Sequence, residues 1–366
     1  MRKKLRKAGT SIVQGNVAMM EGAIAANCKF FAGYPITPAT EIAEHAALRL
    51  PEEDGYYIQM EDELGSICAC IGASLAGERS MTATSGPGFC LMTEGLGAAA
   101  ITERPVVIAY MMRGGPAGGQ ATMPAQQDVY QARYGSQGDY EVIAICPSSV
   151  QESFDFTIKA FELADKYSNP VLLLMDGFTG TMMEPVELPE AKTPEEVAAI
   201  RASKTWAATG KKGGPQHKVM CGPGLDTRVS QEQMNKRDAE LYDSWKTTEV
   251  EYEDYMTEDA EVILTAYGIT GRIAKSAVGI LRAEGIKAGL IRPKKVYPFP
   301  DEAYDKLNYS ALRGIVSAEM AIPAQFAVDV ENAVRGRTKI VTALSSGGEI
   351  LDRSVILEAA RGLCGR

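Results

Sequence analysis

Residues 33–38 read Gly33-Tyr34-Pro35-Ile36-Thr37-Pro38, a turn that follows the apolar run Lys29–Ala32. Three more polar or glycine-rich segments come later in the chain: Met60-Glu61-Asp62-Glu63, Thr84-Ser85-Gly86-Pro87-Gly88 and Arg113-Gly114-Gly115-Pro116. The order is strand, turn and helix, repeated several times. Such a repeat brings several polar groups to the carboxyl ends of neighbouring parallel strands, which is where open α/β sheets bind ligands.

The apolar runs of the first half are continuous and do not alternate with polar residues. They are Lys29–Ala32, Ser80–Thr84, Pro105–Tyr110, Glu141–Ile145 and Pro170–Met175. Continuous runs are typical of strands buried on both faces of a parallel sheet. A helical pattern separates the last two runs: Val150, Phe154, Ile158 and Phe161, after a candidate cap at Ser148 or Ser149. The alternation of strand and helix predicts an α/β fold.

The chain has 366 residues, 45% of them hydrophobic and 23% charged, which suggests two domains of ordinary size. From about 190 to 258 the pattern dissolves into charged and glycine-rich sequence. This stretch includes Gly210–Pro215 and a polar helix candidate from Gln231 to Tyr255. A second α/β unit then starts at Ala260–Tyr267 and continues with a helix from Gly271 and strands at Lys287–Ile291, Gly314–Ser317 and Lys339–Val341.

The chain opens with a basic segment, Met1–Lys7, but the apolar stretch of a signal peptide does not follow it. No run approaches transmembrane length. We therefore expect a cytoplasmic protein without a membrane partner. A net charge of -9 without a basic stripe argues against nucleic acid as a partner. Only His45 and His217 are present, which leaves little room for histidine-based catalysis.

The seven cysteines form no CxxC pair, which excludes a ferredoxin-like cluster motif within this chain. They are Cys28, Cys68, Cys70, Cys90, Cys146, Cys221 and Cys364. Most lie among apolar residues, as Cys146 does, and we expect them to be buried reduced thiols.

The four segments quoted first, in this order, resemble the 2-oxoacid:ferredoxin oxidoreductases, specifically the subunit that carries the pyrimidine-binding domain of thiamine diphosphate. The resemblance is strong from Gly15 to Pro189. Three segments are most similar to the branched-chain, or 2-oxoisovalerate, members: Arg113–Pro116, Asp165–Pro170 and Met182–Val186. The 2-oxoglutarate members share the tyrosine-proline motif, so the resemblance is less specific for the substrate than for the family.

The resemblance implies an α/β protein with two open parallel-sheet domains. Residues 1–189 would form the pyrimidine-binding domain, residues 190–258 a linker with some helix, and residues 259–366 a domain similar to the C-terminal domain of transketolase. One departure lies in the second domain. Many relatives carry an Asn and a Gly-Gln after Glu-Met, whereas this chain reads Glu319-Met320-Ala321-Ile322-Pro323-Ala324-Gln325.

Glu63 is the candidate for activating the cofactor. Thiamine chemistry requires the C2 proton of the thiazolium to be removed by the cofactor's own 4'-amino group, once a carboxyl group engages the ring nitrogen N1'. Glu63-Leu64-Gly65-Ser66 matches the family's pattern around that glutamate. The alternative is that Glu61, Asp62 and Glu63 are only first-turn acids that the helix dipole favours.

Thr37 has two compatible interpretations. It can cap a helix with Pro38 at the first helical position, and the resemblance also lets its hydroxyl donate to the substrate's carboxylate or keto oxygen. A helix N-terminus already favours an anion. The resemblance further assigns Tyr34, Pro35 and Ile36 to cofactor binding.

Arg113 follows an apolar strand and precedes a glycine-rich loop, so its guanidinium can reach into a crevice and hold a planar carboxylate. The alternative is a solvated surface arginine. The resemblance makes it the arginine that binds the substrate carboxylate. No other cation occurs from Gly114 to Ala132. Because a dicarboxylate would require a second cation, this absence favours an apolar 2-oxoacid.

Ser85 and Gly86 are assigned to the cofactor wall, although glycine-rich loops after strands are common. No Gly-Asp-Gly followed by Asn is present, and Met175-Asp176-Gly177 is the nearest fragment. No metal ligand is therefore assigned to this chain. The resemblance implies that the diphosphate and Mg²⁺ are held by a partner subunit, that [4Fe-4S] clusters lie on a ferredoxin-like subunit, and that a gamma-type subunit is also present.

These features predict one subunit of an enzyme that converts a 2-oxoacid and CoA to acyl-CoA, with electrons passing to ferredoxin. Glu63, Thr37 and Arg113 would be its catalytic residues. A branched-chain 2-oxoacid is the first choice of substrate, with 2-oxoglutarate, pyruvate or an aryl-2-oxoacid as alternatives. A non-catalytic scaffold subunit is the rival from another class. Intact Thr37, Glu63 and Arg113 argue against it, and the departure at Ala321–Ala324 keeps it open.

Overall fold

A computed structural model describes residues 8–210 and 230–366. The basic opening Met1–Lys7, the glycine-rich residues 211–215, His217 and Cys221 lie outside the described residues. Within the described ranges the chain forms fifteen strands and thirteen α-helices. No helix in these ranges is long and apolar enough to cross a membrane.

Strands and helices are numbered in chain order. The strands are β1 (Gly9–Gln14), β2 (Phe30–Gly33), β3 (Tyr56–Gln59), β4 (Ser80–Ser85), β5 (Val107–Gly114), β6 (Gln120–Pro124), β7 (Ile143–Ile145), β8 (Val171–Asp176), β9 (Met183–Leu188), β10 (Tyr252–Tyr255), β11 (Val262–Thr265), β12 (Ala288–Pro293), β13 (Lys295–Tyr297), β14 (Gly314–Glu319) and β15 (Ile340–Leu344). The helices are α1 (Gly15–Ala25), α2 (Thr40–Arg49), α3 (Glu63–Leu75), α4 (Gly86–Ile101), α5 (Val129–Tyr134), α6 (Val150–Tyr167), α7 (Gly177–Thr181), α8 (Pro194–Ala202), α9 (Gln231–Thr248), α10 (Gly268–Ala283), α11 (Asp301–Asp305), α12 (Phe326–Val334) and α13 (Arg353–Leu363).

The larger sheet has the strand order β13-β7-β8-β5-β4-β2-β3, with β6 paired to β5. From β7 to β3 neighbouring strands are parallel. The five apolar runs of the first half are present as β2, β4, β5, β7 and β8, which confirms those strand predictions. Every residue of the central strands β4, β5 and β8 is buried, as expected of a sheet covered by helices on both faces.

The smaller sheet has the order β10-β12-β11-β14-β15 and is parallel except for the edge strand β10. Its predicted strands are present as β11, β12, β14 and β15. Its first helix, α10, begins at Gly268, three residues before the predicted start. The α/β fold with two mainly parallel open sheets is therefore confirmed. A separate two-stranded antiparallel ribbon pairs β1 with β9.

The helix predicted from Gln231 to Tyr255 was too long. It ends at Thr248, because Tyr252–Tyr255 is drawn into the edge of the smaller sheet as β10. The helix also does more than connect two units. Trp245 is fully buried, and its ring centroid lies 5.3 Å from that of Tyr167 on α6. Tyr242, whose ring centroid lies 4.9 Å from that of Trp245, and Met234 are buried on the same helix, so a few apolar residues anchor an otherwise polar helix to the larger sheet's helical layer.

The two sheets are joined by strand exchange and by buried polar contacts. β13, which follows directly after β12 of the smaller sheet, pairs antiparallel with β7 at the edge of the larger sheet. Arg292 at the end of β12 contacts both carboxylate oxygens of Glu152 on α6, at 2.7 and 3.0 Å. The Asp176 carboxylate accepts the backbone N–H of Ile269 at 3.0 Å. These contacts fix the start of α10 against the carboxyl edge of the larger sheet.

Cysteine burial agrees only in part with the expectation. Cys28, Cys70 and Cys146 are buried, and burial raises the pKa of each thiol. Cys68 and Cys90 are exposed on helices α3 and α4, and Cys90 accepts a hydrogen bond from the Gln131 side chain at 2.8 Å. Apolar neighbours in sequence do not determine which helical face a residue occupies.

Candidate functional site

Four candidate segments meet at the carboxyl edge of the larger sheet. Arg113 lies at the end of β5, Ser85 at the end of β4, Thr37 after β2 and Glu63 after β3. These four strands are consecutive neighbours in the order β5-β4-β2-β3 and run parallel. Parallel pairing therefore brings together side chains that the sequence spreads over 77 positions, from 37 to 113.

Glu63 is the first residue of α3 and is 4% exposed. The preceding Asp62 caps the helix, and its carboxylate accepts the Gly65 N–H at 2.7 Å. Burial raises the pKa of the Glu63 carboxyl, the charge of Asp62 adds to the rise, and Arg113 opposes it. The three neighbouring acids therefore have different environments: Glu61 is exposed, Asp62 caps the helix and Glu63 is buried. A buried carboxyl with a raised pKa is suited to holding a proton.

The position of the Glu63 carboxyl is defined by its closeness to α4. A Cβ atom built on Gly88 would lie 2.2 Å from Glu63 Oε1 and 2.4 Å from Thr84 Oγ1. Only a glycine at residue 88 leaves room for this carboxyl beside the first turn of α4. At the start of the same helix, Ser85 is fully buried and its hydroxyl has no hydrogen-bond partner in the structure.

The prediction that Thr37 caps α2 with Pro38 at the first helical position was wrong. The helix begins at Thr40, and its cap is Ala39. A hydrogen bond of 2.8 Å from Ala39 N to Ile36 O closes a turn that occupies residues 37 and 38, so the helix starts after it. Thr37 is left exposed beside the sheet edge. Tyr34 and Pro35 of the same segment are also exposed, and Ile36 is half-buried.

Arg113 is 7% exposed, which rules out the solvated surface arginine. Its Nη1 donates to the Thr37 carbonyl oxygen at 2.6 Å, and its Nη2 lies 3.5 Å from the Ala117 carbonyl oxygen. The Nε–H is buried without a hydrogen-bond partner. Two neutral carbonyls do not neutralise a guanidinium, so Arg113 retains an unpaired charge and a free donor.

Arg113 forms part of the wall of a cavity of about 580 Å³ at the sheet edge. The wall also includes residues from α4, from α5 and the segment before it, and from the loops that follow β14 and β15: Gly86, Pro87, Cys90, Gln127, Asp128, Gln131, Ile322, Gln325 and Ser346. The volume is in the range of small-molecule sites. Among the described lining residues Arg113 is the only cation.

Asp128, Gln131, Ile322 and Gln325 were not singled out from the sequence as site residues. Asp128 Oδ2 is buried without a partner, and burial raises the pKa of this carboxyl to about 6 although a hydrogen bond with Tyr110 and the charge of Arg113 oppose the rise. Gln131 accepts a 2.7 Å hydrogen bond from Tyr110. No local pattern marks these residues, because they reach the cavity only through the packing of α5 and of the smaller sheet.

Comparison with known proteins identifies both halves of the chain. A family model described as pyruvate flavodoxin/ferredoxin oxidoreductase, thiamine diphosphate-binding, matches residues 21–254. A model described as pyruvate:ferredoxin oxidoreductase core domain II matches residues 260–354.

Full-length relatives are similar over nearly the whole chain. The 2-oxoglutarate synthase subunit KorA of Methanocaldococcus jannaschii is 43% identical over 364 residues, covering 94% of this chain and 98% of that protein. The ketoisovalerate oxidoreductase subunit VorB of Methanothermobacter marburgensis is 40% identical over 357 residues, covering 97% and 98%.

A solved structure has the same fold. It is described as 2-oxoglutarate:ferredoxin oxidoreductase from Magnetococcus marinus with 2-oxoglutarate, coenzyme A and succinyl-CoA bound. It superposes with a TM-score of 0.83 at 29% identity and covers 97% of this chain, which spans 65% of the length of that chain. By the family match over more than half its length and by its full-length relatives, this chain belongs to the pyruvate flavodoxin/ferredoxin oxidoreductase family, as a subunit of the thiamine diphosphate-dependent 2-oxoacid:ferredoxin oxidoreductases.

Proposed function

We propose that this chain is the pyrimidine-binding subunit of a CoA-dependent enzyme that oxidatively decarboxylates a branched-chain 2-oxoacid. The reaction takes the 2-oxoacid and CoA to acyl-CoA and CO₂, and two electrons pass to ferredoxin. The observation that carries the proposal is the buried Arg113 with its unpaired Nε–H, in the wall of the cavity at the sheet edge where Glu63 is also enclosed.

The residues at this edge fit one half of a thiamine diphosphate site. The cofactor, when bound, supplies the carbon that attacks the keto group. Glu63 holds a proton at a ring nitrogen of the pyrimidine, a role suited to an enclosed carboxyl whose pKa burial raises. Tyr34, Pro35 and Ile36 border the pyrimidine, and the buried hydroxyl of Ser85, beside Gly86, provides a polar group without a protein partner.

Arg113 and Thr37 hold the substrate. The guanidinium binds the carboxylate of the 2-oxoacid, because a planar fork matches a planar carboxylate and the buried charge has no carboxylate partner within the chain's described residues. Its hydrogen bond to the Thr37 carbonyl sets the position of the turn at residues 36–39. Thr37 is exposed beside the same sheet edge, and we assign its hydroxyl to the substrate's carboxylate or keto oxygen.

The remaining parts of the enzyme are assigned to other subunits. We place the diphosphate and Mg²⁺ on a partner subunit, [4Fe-4S] clusters on a ferredoxin-like subunit, and a gamma-type subunit beside them, with ferredoxin as acceptor. Neither the Gly-Asp-Gly…Asn motif nor a CxxC pair is present in this sequence. We further propose that residues 1–189 and 259–366 are the two domains, with 190–258 as the connection, and that the assembly is cytoplasmic.

The choice of a branched-chain substrate rests on the charge of the cavity. Arg113 is the only cation among the described lining residues, and Asp128 adds an acid. A second substrate carboxylate would find no partner there, whereas a hydrocarbon side chain needs none. The rival is 2-oxoglutarate, which is named in the 43% identical relative, whereas ketoisovalerate is named in the 40% identical one.

Co-purification and a viologen-reduction assay with 2-oxoisovalerate, 2-oxoglutarate and pyruvate test the proposal. We expect the purified single chain to be inactive, and the complex with its cluster-bearing and diphosphate-binding partners to be active only with thiamine diphosphate and CoA. Turnover by the single chain would contradict the divided site. A partner-bound complex inert toward every 2-oxoacid would favour the scaffold role instead.

Glu63→Gln tests the activating carboxyl. The amide keeps the shape but cannot share a proton in the same way, so the assembled complex should lose roughly 100-fold or more in turnover. Glu61→Gln, at an exposed acid two positions earlier, is the matched control and should retain activity. Parental turnover by the Glu63 variant would remove this residue from the mechanism.

A further inference from the structure

The loop between β14 and α12 reaches from the smaller sheet into the cavity that contains Arg113. Ile322 and Gln325 of this loop lie in the cavity wall. The loop coincides with the stretch at which the sequence departs from the family pattern. This loop therefore forms one side of the proposed substrate site, although it lies outside the segments from which that site was predicted.

The loop is anchored at its beginning. The backbone N–H of Gln126 donates to the Met320 carbonyl oxygen at 2.9 Å, and the Met320 N–H donates to Gln126 Oε1 at 3.0 Å. Gln126 is fully buried and also accepts from the Thr270 hydroxyl at 2.7 Å. Residue 320 is thus held by two hydrogen bonds to the segment that precedes α5.

The loop is anchored at its end as well. Glu319 is fully buried, and its carboxylate accepts the backbone N–H groups of three successive residues, Gln325, Phe326 and Ala327, at 2.9 to 3.0 Å. Gln325 Nε2 donates to the Gln127 carbonyl oxygen at 2.6 Å, and Gln325 Oε1 accepts the Tyr130 N–H at 3.2 Å. Both ends of the loop backbone are thus fixed, as a selective site requires of the segment that carries it.

Ile322 is the exception within this anchored loop. Met320 is 1% exposed and Ala321 is fully buried, yet Ile322 is 60% exposed in the cavity wall. Because Ile322 lines the same cavity as Arg113, its uncovered hydrocarbon surface is available to a ligand in that cavity. The same cavity is lined by the neutral Gln127 and Gln131 and by the acid Asp128, and Arg113 is the only cation among its described lining residues.

We propose that Ile322 is a specificity-determining residue that packs against the hydrocarbon side chain of the 2-oxoacid whose carboxylate Arg113 binds. This inference rests on the proposed function. Arg113 binds the charged end of the substrate, and Ile322 on the loop between β14 and α12 contacts its hydrocarbon end. The two sheets must therefore be docked, as they are through Gln126 and β13, for the enzyme to distinguish its substrates.

The expected effects follow from the size of the side chain. Ile322→Ala removes the hydrocarbon contact and should lower kcat/KM for 2-oxoisovalerate about tenfold, because hydrophobic pockets discriminate by roughly 10- to 200-fold per methylene-sized change and this side chain is only partly enclosed. The value for pyruvate should change less than about twofold, because pyruvate has only a methyl group in place of the branched side chain that the proposal places against Ile322. Ile322→Arg should raise the ratio of kcat/KM for 2-oxoglutarate over 2-oxoisovalerate at least tenfold by supplying a second cation.

The experiment compares the assembled complexes of the parent, Ile322→Ala, Ile322→Arg and Ile12→Ala on the three substrates. Ile12 is 70% exposed on β1, away from the cavity wall, and its variant should keep the parental ratios. A parental complex that oxidises a 2-oxoacid while both Ile322 variants keep its substrate ratios would overturn this inference and leave the proposed function intact. A parental complex without 2-oxoacid activity would remove both. Thermal unfolding of each complex shows that the variants are folded.

Discussion

Gly88→Ala is the substitution that the structure predicts most specifically. Residue 88 lies in the first turn of α4, and an added Cβ would lie 2.2 Å from Glu63 Oε1 and 2.6 Å from Glu63 Cδ. Carbon and oxygen atoms that are not bonded approach to about 3.3 Å. The Glu63 carboxyl must therefore move by about 1 Å, which the end of a flexible side chain can do without unfolding the protein.

The expected loss is large in activity and small in stability. A displacement of about 1 Å in a catalytic group costs roughly 100-fold in rate, so kcat of the assembled complex with its preferred 2-oxoacid should fall by about that factor. Thr84 Oγ1, at 2.4 Å from the added Cβ, must also rotate, and this adds a cost of about 1 kcal/mol. Alanine in place of a helical glycine returns a similar amount. The melting temperature should therefore change by only a few degrees.

Gly279→Ala is the matched control, because residue 279 lies in helix α10 and a Cβ there meets no atom within 4 Å. It should keep full activity and gain about 0.5–1 kcal/mol of stability. Thiamine- and CoA-dependent viologen reduction measures the rate, and thermal unfolding measures the stability. Parental turnover by Gly88→Ala would refute the reasoning, since the carboxyl of Glu63 would then either not occupy this position or not act in catalysis.

Three further predictions concern single side chains. Arg113→Ala should lower kcat/KM for the 2-oxoacid at least tenfold, since truncating the partner of a bound carboxylate costs about 2–5 kcal/mol. Arg113→Lys should recover only part of the lost kcat/KM. Parental kinetics in both variants would place the carboxylate site elsewhere. Asp128→Asn should be more stable than the parent above pH 6 by at most about 3 kcal/mol, because burial raises the pKa of Asp128 from 3.8 to about 6 and ionisation of this carboxyl then opposes folding. The gain in stability should vanish as the pH falls from 6 to 4. Denaturant unfolding at several pH values measures the difference, and a difference that does not depend on pH would contradict the prediction. Glu152→Ala should cost roughly 3 kcal/mol in unfolding free energy, because among the described residues it leaves the 5% exposed Arg292 with Glu253 as its only carboxylate partner; a loss below about 1 kcal/mol would mean that the pair does not hold the sheets together.

The sequence alone predicted five strands of the larger sheet, four strands of the smaller sheet and the edge at which the candidate residues lie, whereas β3, β6, β10 and β13 were not among the predicted apolar runs. Successive residues of a strand point to opposite faces of the sheet. A strand that is covered on both faces is therefore apolar at every position, so continuous apolar runs predict buried strands. The turns that follow β2, β3, β4 and β5 had to meet once those strands were parallel neighbours. Thr37, Glu63, Ser85 and Arg113 could therefore be placed together before any tertiary contact was known, and the family resemblance pointed to the same residues.

Tertiary contacts decided the positions at which the structure departs from the helices that the local sequence patterns predict. The Thr37 carbonyl accepts a hydrogen bond from Arg113, 76 positions away, within a turn that precedes α2, although Thr37-Pro38 is a good helix start by itself. The helix predicted through Tyr255 ended early because the edge of the smaller sheet took up β10. Helix propensity contributes little to the free energy of folding. A row of sheet hydrogen bonds or a competing turn outweighs it.

The wall of the cavity was also beyond the reach of the sequence. Met320 and Gln126 are hydrogen-bonded although they are 194 positions apart, and this contact brings Ile322 to the cavity that contains Arg113. A local pattern carries no information about which distant segments will pack together, because that choice depends on the shapes and buried polar groups of two complete sheets. The sequence thus determined the chemistry of the charged end of the site, and the docking of the two sheets determined what faces it.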